Sequence, residues 1–174
     1  IHLLLACSRL GAIFLPLNSR LVVSEHRWIL QDAEPQILIA EPMFYDHAQE
    51  AVQKNIVYRL DELTEANHTS TSPRVGRPSD AVLLAYTSGT TGTPKGALLT
   101  QRALASNAVN SAHAHDLTPQ DRILTFLPLF HVGGLNIQTL PALMTGASVL
   151  LHRAFDPGEW LRDRKRTRLN SSHQ

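Results

Sequence analysis

Short apolar runs alternate along this chain with stretches in which apolar residues recur every three or four positions. The first pattern predicts buried β-strands and the second predicts amphipathic helices. Strands are predicted over 12–15, 37–40, 56–58, 81–85, 123–127 and 147–151. Helices are predicted over 3–10, from Ser24 to about Pro35, and over 45–53, 100–115 and 134–144. This alternation favours an α/β fold in which helices are layered against a sheet.

Several predicted element ends carry residues that start or stop helices. Gly11 and Gly146 follow predicted helices, where glycine accepts the left-handed conformation of a C-terminal cap. Ser24 and Thr100 are predicted N-caps, and Asp156-Pro157 predicts the start of a last helix. Residues 64–79 are rich in Ser, Thr, Pro and Arg and predict an exposed connection. The residues expected to face a core are Trp28, Ile29, Ala33, Leu104, Ala105, Ala108, Val109 and Ala112.

The overall composition is that of a folded globular chain. In 174 residues, 43% are hydrophobic and 18% are charged, values that exclude a disordered or collagen-like chain. The single cysteine, Cys7, excludes an internal disulfide framework and is expected to be a packing residue in a reducing compartment. No apolar run approaches the roughly 18 residues of a membrane span. We therefore expect a cytoplasmic protein, with peripheral membrane association as the alternative. The first residue is Ile1, which suggests that the natural N-terminus lies upstream.

The positive charge is concentrated in the last 13 residues. Residues 162–174 carry five Lys or Arg and one Asp, a balance of +4, which leaves −3 on residues 1–161 for the net charge of +1. The apolar helical pattern that begins at Asp156 stops after Leu161. A basic nucleic-acid-binding arm is one interpretation, but no aromatic residues alternate with the charges. The favoured interpretation is a non-native tail, because the segment resembles translated vector or adapter read-through.

The stretch with the clearest chemistry is 86–96, Tyr-Thr-Ser-Gly-Thr-Thr-Gly-Thr-Pro-Lys-Gly. It directly follows the strand predicted over 81–85, so it is expected to be the loop that leaves the end of that strand. Glycines allow backbone N–H groups to approach an anion closely, and the hydroxyl groups add further donors. Lys95 adds a mobile positive charge. The stretch therefore predicts a polyphosphate-binding loop.

Two common phosphate motifs do not match this stretch. Lys95 lies between Pro94 and Gly96, which excludes a Walker loop, and the glycine spacing excludes the dinucleotide-binding pattern. An ordinary polar surface loop is the alternative. The ordered string resembles the phosphate-loop signature of the adenylate-forming superfamily, which includes acyl-CoA synthetases, adenylation domains of peptide synthetases and luciferases. Residues 126–135, Phe-Leu-Pro-Leu-Phe-His-Val-Gly-Gly-Leu, resemble its next core motif. The first part of the chain, from Ala6 to Pro42 and notably 11–18, resembles its upstream region.

The resemblance covers about residues 3–161 and implies an incomplete N-terminal domain, 1–161, of an AMP-forming acyl-CoA synthetase of the fatty-acyl or aryl-acid type. It implies that ATP activates a carboxylic acid as an acyl-adenylate and that CoA then accepts the acyl group. Mg²⁺ would accompany ATP, and no nucleic-acid partner is implied. In the family this loop contacts the β- and γ-phosphates. The resemblance also implies that Pro94 and Gly96 shape the loop. The implied ATP-binding residues are Thr87, Ser88, Gly89, Thr90, Thr91, Gly92 and Lys95.

The second motif implies an acyl-substrate pocket. His131 would line it and Gly133 and Gly134 would leave room for substrate; a packed or surface histidine is the alternative. His113 and His115 are two apart on a predicted helix and point to different faces, which is poor metal-ligand spacing. No zinc or iron site is predicted. The histidines expected to be solvated and without a partner are His26, His47, His68 and His152.

Several functional groups of the family lie beyond the point where the resemblance stops. They are its Mg²⁺-binding Glu, its ribose-binding Asp, its adenine contacts and the Lys of its C-terminal domain. Residues 1–174 are therefore expected not to catalyse the reaction alone, and no catalytic residue is assigned. Two alternatives remain open: an adenylation domain that loads a carrier protein, and a non-catalytic nucleotide-binding relative. The acid that is activated and the oligomeric state are not predicted.

Overall fold

The fold alternates short helices and strands, as the periodicity predicts. A computed structural model describes residues 1–52, 56–65, 75–87, 94–153, 155–158 and 161–162. The described helices are α1 (His2–Leu10), α2 (Val23–Ala33), α3 (Tyr45–Ala51), α4 (Gln101–Ala114) and α5 (Leu140–Thr145), with 3₁₀ turns at Pro42–Phe44 and Leu60–Glu65 and a π-helix at Gly133–Thr139. The described strands are β1 (Ile37–Ala40), β2 (Ile56–Arg59), β3 (Ala81–Thr87), β4 (Lys95–Thr100), β5 (Arg122–Thr125) and β6 (Ser148–Leu151). The chain forms two compact units, Ile1–Gln101 and Arg102–Gln174.

The first unit is organised around β3. Strands β3 and β4 pair antiparallel from Ala81 and Thr100 to Thr87 and Lys95. The predicted strand over 12–15 is reduced to one parallel bridge between Phe14 and Leu83, on the other side of β3. Strand β3 is therefore paired on both edges, and its residues Val82 and Leu83 are each only 1% exposed. Strands β1 and β2 pair in parallel in a second sheet, with α3 as the crossover between them.

The second unit contains another β-helix-β crossover. Strands β5 and β6 pair in parallel, and the π-helix and α5 connect them. Gly146 ends α5 with φ 83°, the left-handed conformation that the sequence predicts there, and Gly11 ends α1 in the same way with φ 69°. Residues 157–158 and 161–162 are helical, which agrees with the helix start predicted after Asp156. The layered α/β class is therefore confirmed.

Three local predictions are wrong for identifiable reasons. Ser24 is not the N-cap of α2, because the helix begins at Val23 and the Val22 N–H donates to the Glu25 carboxylate at 3.0 Å. Lys95 and Gly96 belong to β4, whereas the composition of 86–96 predicted a loop over these residues. Val109 is 59% exposed, because α4 buries only a narrow strip around Ala108. The helix predicted over 134–144 is confirmed in its extent; it consists of a π-helix followed by α5.

Candidate functional site

The hairpin of β3 and β4 brings together two of the predicted phosphate-binding residues. Thr87 and Lys95 are direct cross-strand partners, and the Thr87 hydroxyl lies 3.4 Å from the Lys95 carbonyl oxygen, to which it donates. Directly opposed residues in an antiparallel pair point to the same face of the sheet. Both side chains are exposed. A hydroxyl donor and a primary ammonium thus share one face at the end of the hairpin.

This end of the hairpin has the chemistry of an anion site. The ammonium of Lys95 supplies charge and the Thr87 hydroxyl supplies a neutral donor, the two kinds of group that a polyphosphate accepts hydrogen bonds from. Pro94 lies just before β4. Its ring fixes φ, and it has no backbone N–H to donate to the neighbouring strand. The remaining predicted ATP-binding residues lie outside the described residues; they are Ser88, Gly89, Thr90, Thr91 and Gly92.

The predicted acyl-pocket residues lie together in the second unit. His131 is exposed, and its Nδ1 accepts a hydrogen bond from the Gly133 N–H at 3.0 Å. In the neutral ring Nε2 therefore carries the proton and can donate to a ligand. Gly133 is buried, and a Cβ there would lie 3.2 Å from His131 Nδ1. This hydrogen bond sets the direction in which the imidazole is presented.

Gly134 has a packing role that differs from the one predicted. A Cβ at this position would lie 2.5 Å from the Leu127 carbonyl oxygen and 2.6 Å from that of Pro128. Glycine is needed here because the first turn of the π-helix packs directly on the backbone that follows β5. The Gly134 carbonyl also accepts a hydrogen bond from the buried Thr139 hydroxyl at 2.7 Å. The space around Gly134 is filled by protein backbone.

The prediction that His26 is solvated and without a partner is wrong. His26 is only 6% exposed, and its Nδ1 lies 2.8 Å from His47 Nε2. Its Nε2 lies 3.0 Å from the Asn18 carbonyl oxygen. Desolvation by burial lowers the pKa of His26, and the neighbouring His47 adds to the shift. The sequence carries no signal for this pair, because 21 residues separate its members. His68 lies outside the described residues.

Neither a metal cluster nor a reactive thiol is evident among the described residues. Across the described part of the chain, no group of three or more His, Cys, Asp or Glu side chains is placed to hold a metal ion. Cys7 is half-buried, and desolvation raises the pKa of its thiol, which disfavours the nucleophilic thiolate. No helix of the described residues is long and apolar enough to cross a membrane.

Comparison with known proteins shows which family the chain resembles. The family model described as AMP-binding enzyme matches residues 1–173. The chain is 50% identical over 168 residues to indoleacetate–CoA ligase of Aromatoleum aromaticum, a match covering 88% of this chain and 33% of that protein. It is 42% identical over 159 residues to feruloyl-CoA synthase of an Amycolatopsis species, covering 89% of this chain and 32% of the relative. The chain therefore spans about a third of the length of these relatives.

Solved structures place the fold in the same group. O-succinylbenzoate coenzyme A synthetase from Bacillus subtilis, in complex with ATP and magnesium ion, matches with a TM-score of 0.85 at 30% identity, over 95% of this chain and 44% of that one. ATP-bound MatB from Rhodopseudomonas palustris matches with a TM-score of 0.81 at 30% identity, over 94% of this chain and 35% of that one. With its hairpin, its two parallel crossovers and a family match that runs nearly its full length, the chain belongs to the AMP-binding, adenylate-forming enzymes.

Proposed function

We propose that this chain is the phosphate-binding and part of the acyl-binding portion of an ATP-dependent acid–CoA ligase. The observation that carries the proposal is the cross-strand placement of Thr87 and Lys95 at the end of the β3–β4 hairpin, on either side of 88–94. The reaction has two steps. The acid carboxylate attacks the α-phosphate of ATP, forming an acyl-adenylate and releasing pyrophosphate, and the CoA thiol then displaces AMP to form the thioester.

The residues of the hairpin would act mainly in the first step. Negative charge accumulates on the departing pyrophosphate, so fixed donors and a cation at that position lower the barrier. We assign this role to Lys95 and to Thr87, Ser88, Gly89, Thr90, Thr91 and Gly92. Mg²⁺ bound to the triphosphate would neutralise part of the same charge.

The acid substrate would be an aromatic or arylalkyl carboxylic acid. Two of the most similar relatives are named for indoleacetate and ferulate, both of which carry a carboxylate beyond an aromatic ring. We assign His131 to the wall of the acyl pocket, because its Nδ1 is occupied by the Gly133 N–H and its Nε2–H can donate. Gly133 keeps that imidazole in place. Gly134 supports the same wall by packing on the backbone.

In the full-length enzyme, measuring adenylate formation and thioester formation separately distinguishes the role of Lys95 from that of His131. Lys95→Ala is expected to slow adenylate formation about 100-fold, or about 2.7 kcal/mol of transition-state stabilisation. Acid-dependent ATP–pyrophosphate exchange measures this step. Thioester formation from pre-made acyl-adenylate should change much less, because pyrophosphate has already left. Lys95→Arg should recover part of the exchange rate, and Arg20→Ala, which removes an exposed cation elsewhere in the first unit, should leave it unchanged.

Defined results would contradict these assignments. Equal loss of both half-reactions in Lys95→Ala would mean that the hairpin supports the fold and does not clamp pyrophosphate. His131→Ala should change the ranking of accepted acids and leave the apparent affinity for ATP unaltered. The 174-residue chain alone should show no acid-dependent exchange. Exchange by that chain would show that its own residues suffice for adenylation.

A further inference from the structure

Tyr86 links the hairpin to a helix that is distant in the sequence. Its hydroxyl donates to the Asp32 carboxylate at 2.5 Å, across 54 residues. Asp32 lies in the last turn of α2, and Trp28 lies one turn earlier on the same helix. The rings of Trp28 and Tyr86 meet edge to face, with centroids 6.1 Å apart and an interplanar angle of 89°. Two side chains of α2 thus hold the penultimate residue of β3; we call Tyr86, Asp32 and Trp28 the Tyr86 anchor.

The anchor also covers the partner strand. Gly96 is the cross-strand partner of Tyr86 in β4. A Cβ on Gly96 would lie 2.9 Å from Leu84 Cδ1 and 3.2 Å from Tyr86 Cζ. The phenol ring therefore crosses the strand at a position where a side chain would obstruct it, an arrangement in which an aromatic ring covers a strand glycine. Both strands of the hairpin are fixed at this pair.

The neighbouring pair along the hairpin is Thr87 and Lys95. Side chains alternate between the two faces of a sheet, so Tyr86 and Gly96 occupy one face while Thr87 and Lys95 occupy the other. On that second face Leu83 and Ala85 of β3 are buried, whereas the Thr87 and Lys95 side chains at its end are exposed. The anchor thus lies one residue from each of the two described phosphate-binding candidates, without itself facing the ligand.

The hydroxyl of Tyr86 remains a donor over a wide pH range. Desolvation and the hydrogen bond to Asp32 raise the pKa of Tyr86 to about 12. A carboxylate acceptor gives a short, charge-assisted hydrogen bond with strong directional preference. Such a bond restricts the rotation of the ring over Gly96. It therefore restricts the separation of β3 and β4 at their ends.

We propose that Tyr86 and Asp32 are positioning residues for ATP activation: their hydrogen bond holds the end of the hairpin so that Thr87 and Lys95 meet the polyphosphate in a fixed register. This inference rests on the proposed function of the hairpin. Neither residue is assigned a contact with substrate. A bond that served stability alone would affect both half-reactions in proportion to the folded fraction.

The kinetic experiment uses the full-length enzyme. Tyr86→Phe and Asp32→Ala are each expected to lower kcat/KM for ATP in the exchange reaction about 10-fold, a modest share of what misplacement of a catalytic group can cost. The double variant should be no worse than either single variant, because both remove the same bond. Asp32→Asn should retain part of the activity, since its amide oxygen can accept from the phenol. Thioester formation from pre-made acyl-adenylate should stay within about twofold of wild type.

Tyr45→Phe is the matched control. It also removes a phenol that is hydrogen-bonded within the first unit, to Gln49 at 2.7 Å, but on α3 and away from the hairpin. It should leave kcat/KM for ATP unchanged. If Tyr86→Phe behaves like Tyr45→Phe while wild type is active, the anchor proposal is overturned and the proposed function stands. If wild type shows no acid-dependent exchange, the proposed function fails and the anchor proposal fails with it.

A structural readout in the 174-residue chain tests the same bond without catalysis. Hydrogen exchange of the β4 amides from Lys95 to Ala97 should be about fivefold faster in Tyr86→Phe and Asp32→Ala, because the end of the ladder opens more often. The amides of β1 and β2 should be unaffected. Uniformly faster exchange throughout the first unit would indicate global destabilisation and would overturn the positioning role.

Discussion

His26 is a histidine whose protonation is constrained by its burial and by two neighbours. The Asn18 carbonyl can only accept, so Nε2 of His26 carries a proton. In neutral His26 the Nδ1 must then accept from His47 Nε2, which assigns the tautomers of both rings. A proton added to His26 would reside on Nδ1, and His47 would have to become the acceptor. If both rings were positively charged, His26 Nδ1–H and His47 Nε2–H would face each other and could not form a hydrogen bond.

We predict that this pair makes stability depend on pH. In the folded state, desolvation lowers the pKa of His26 below its ordinary value of 6.5. The unfolded chain therefore binds the proton more readily. The free energy of unfolding should be maximal above about pH 6.5 and should fall as the pH drops below this value, levelling off below the folded pKa. Urea titrations of the 174-residue chain at a series of pH values measure this slope.

Two variants identify the residue responsible. His26→Gln should show a clearly smaller loss of stability on acidification, and His113→Gln, which changes an exposed histidine of α4, should behave like wild type. An unchanged slope in His26→Gln would exclude His26 as the source of the pH dependence.

At the scale of elements, the helical segment after His131 depends on donors from α4. Pro141 lacks an N–H, so the carbonyls four and five residues before it, on Ile137 and Asn136, lose a helical donor. The Ser111 hydroxyl donates to the Ile137 carbonyl at 3.0 Å, and the Asn107 amide donates to that of Asn136 at 2.8 Å. Polar residues of α4, four positions apart, therefore satisfy the carbonyls that proline leaves free.

The close packing of the π-helix predicts an asymmetry between its two glycines. In Gly134→Ala the new methyl group would meet the carbonyl oxygens of Leu127 and Pro128 at 2.5 and 2.6 Å, and backbone can relieve this only by moving. We expect a destabilisation of about 1–3 kcal/mol, typical of overpacking. Gly133→Ala meets only the ends of side chains, at 3.2 Å or more, and should cost less.

Chemical denaturation of both variants in the 174-residue chain measures this difference. Because both substitutions replace glycine by alanine in the same helix, their backbone-entropy terms are similar and the contrast reports the steric term. Equal stabilities would show that the segment after β5 relaxes freely.

At the scale of the whole molecule, much apolar surface remains in contact with solvent. The cross-strand partners Ile37 and Ile56, at the start of the β1–β2 pair, are 55% and 59% exposed, and Val109 on α4 is 59% exposed. An exposed apolar pair such as Ile37 and Ile56 favours association with further protein surface.

The last 13 residues are predicted to be dispensable for the fold. Residues 162–174 contain one large apolar residue, Leu169, so deleting them removes little that could be buried. The thermal midpoint of the 174-residue chain should change by less than about 2 °C, which corresponds to at most about 0.5–1 kcal/mol for a chain of this size. The family match extends to residue 173, so the boundary after Leu161 stays a prediction.

A native tail would give different results. A clear drop in the thermal midpoint on deletion would show that the tail packs against the fold. Loss of a salt-sensitive affinity for nucleic acid would show that its charge has a function.

The sequence by itself determined the features that depend on neighbouring residues. Apolar periodicity places most helices and strands within a few residues of their observed ends, because it reports which side of an element is buried. Gly11 and Gly146 mark helix ends because the left-handed conformation is a property of one residue. The ordered string 86–96 was enough to predict the family, which the family match confirms, while its role as a phosphate loop stays a prediction.

Only the tertiary structure decided the features that join distant positions. The partners in Tyr86–Asp32 and His26–His47 are 54 and 21 residues apart, and neither pair has a local pattern that distinguishes it from solvated side chains. Strand β4 was hidden because Lys95 and Gly96 take strand conformation from their pairing with β3, against their loop-like composition. Glycine is required at position 134 because the carbonyl oxygens of Leu127 and Pro128, in the segment after β5, lie where a Cβ would be. Burial and pairing arise when elements pack, so residue type alone does not specify them.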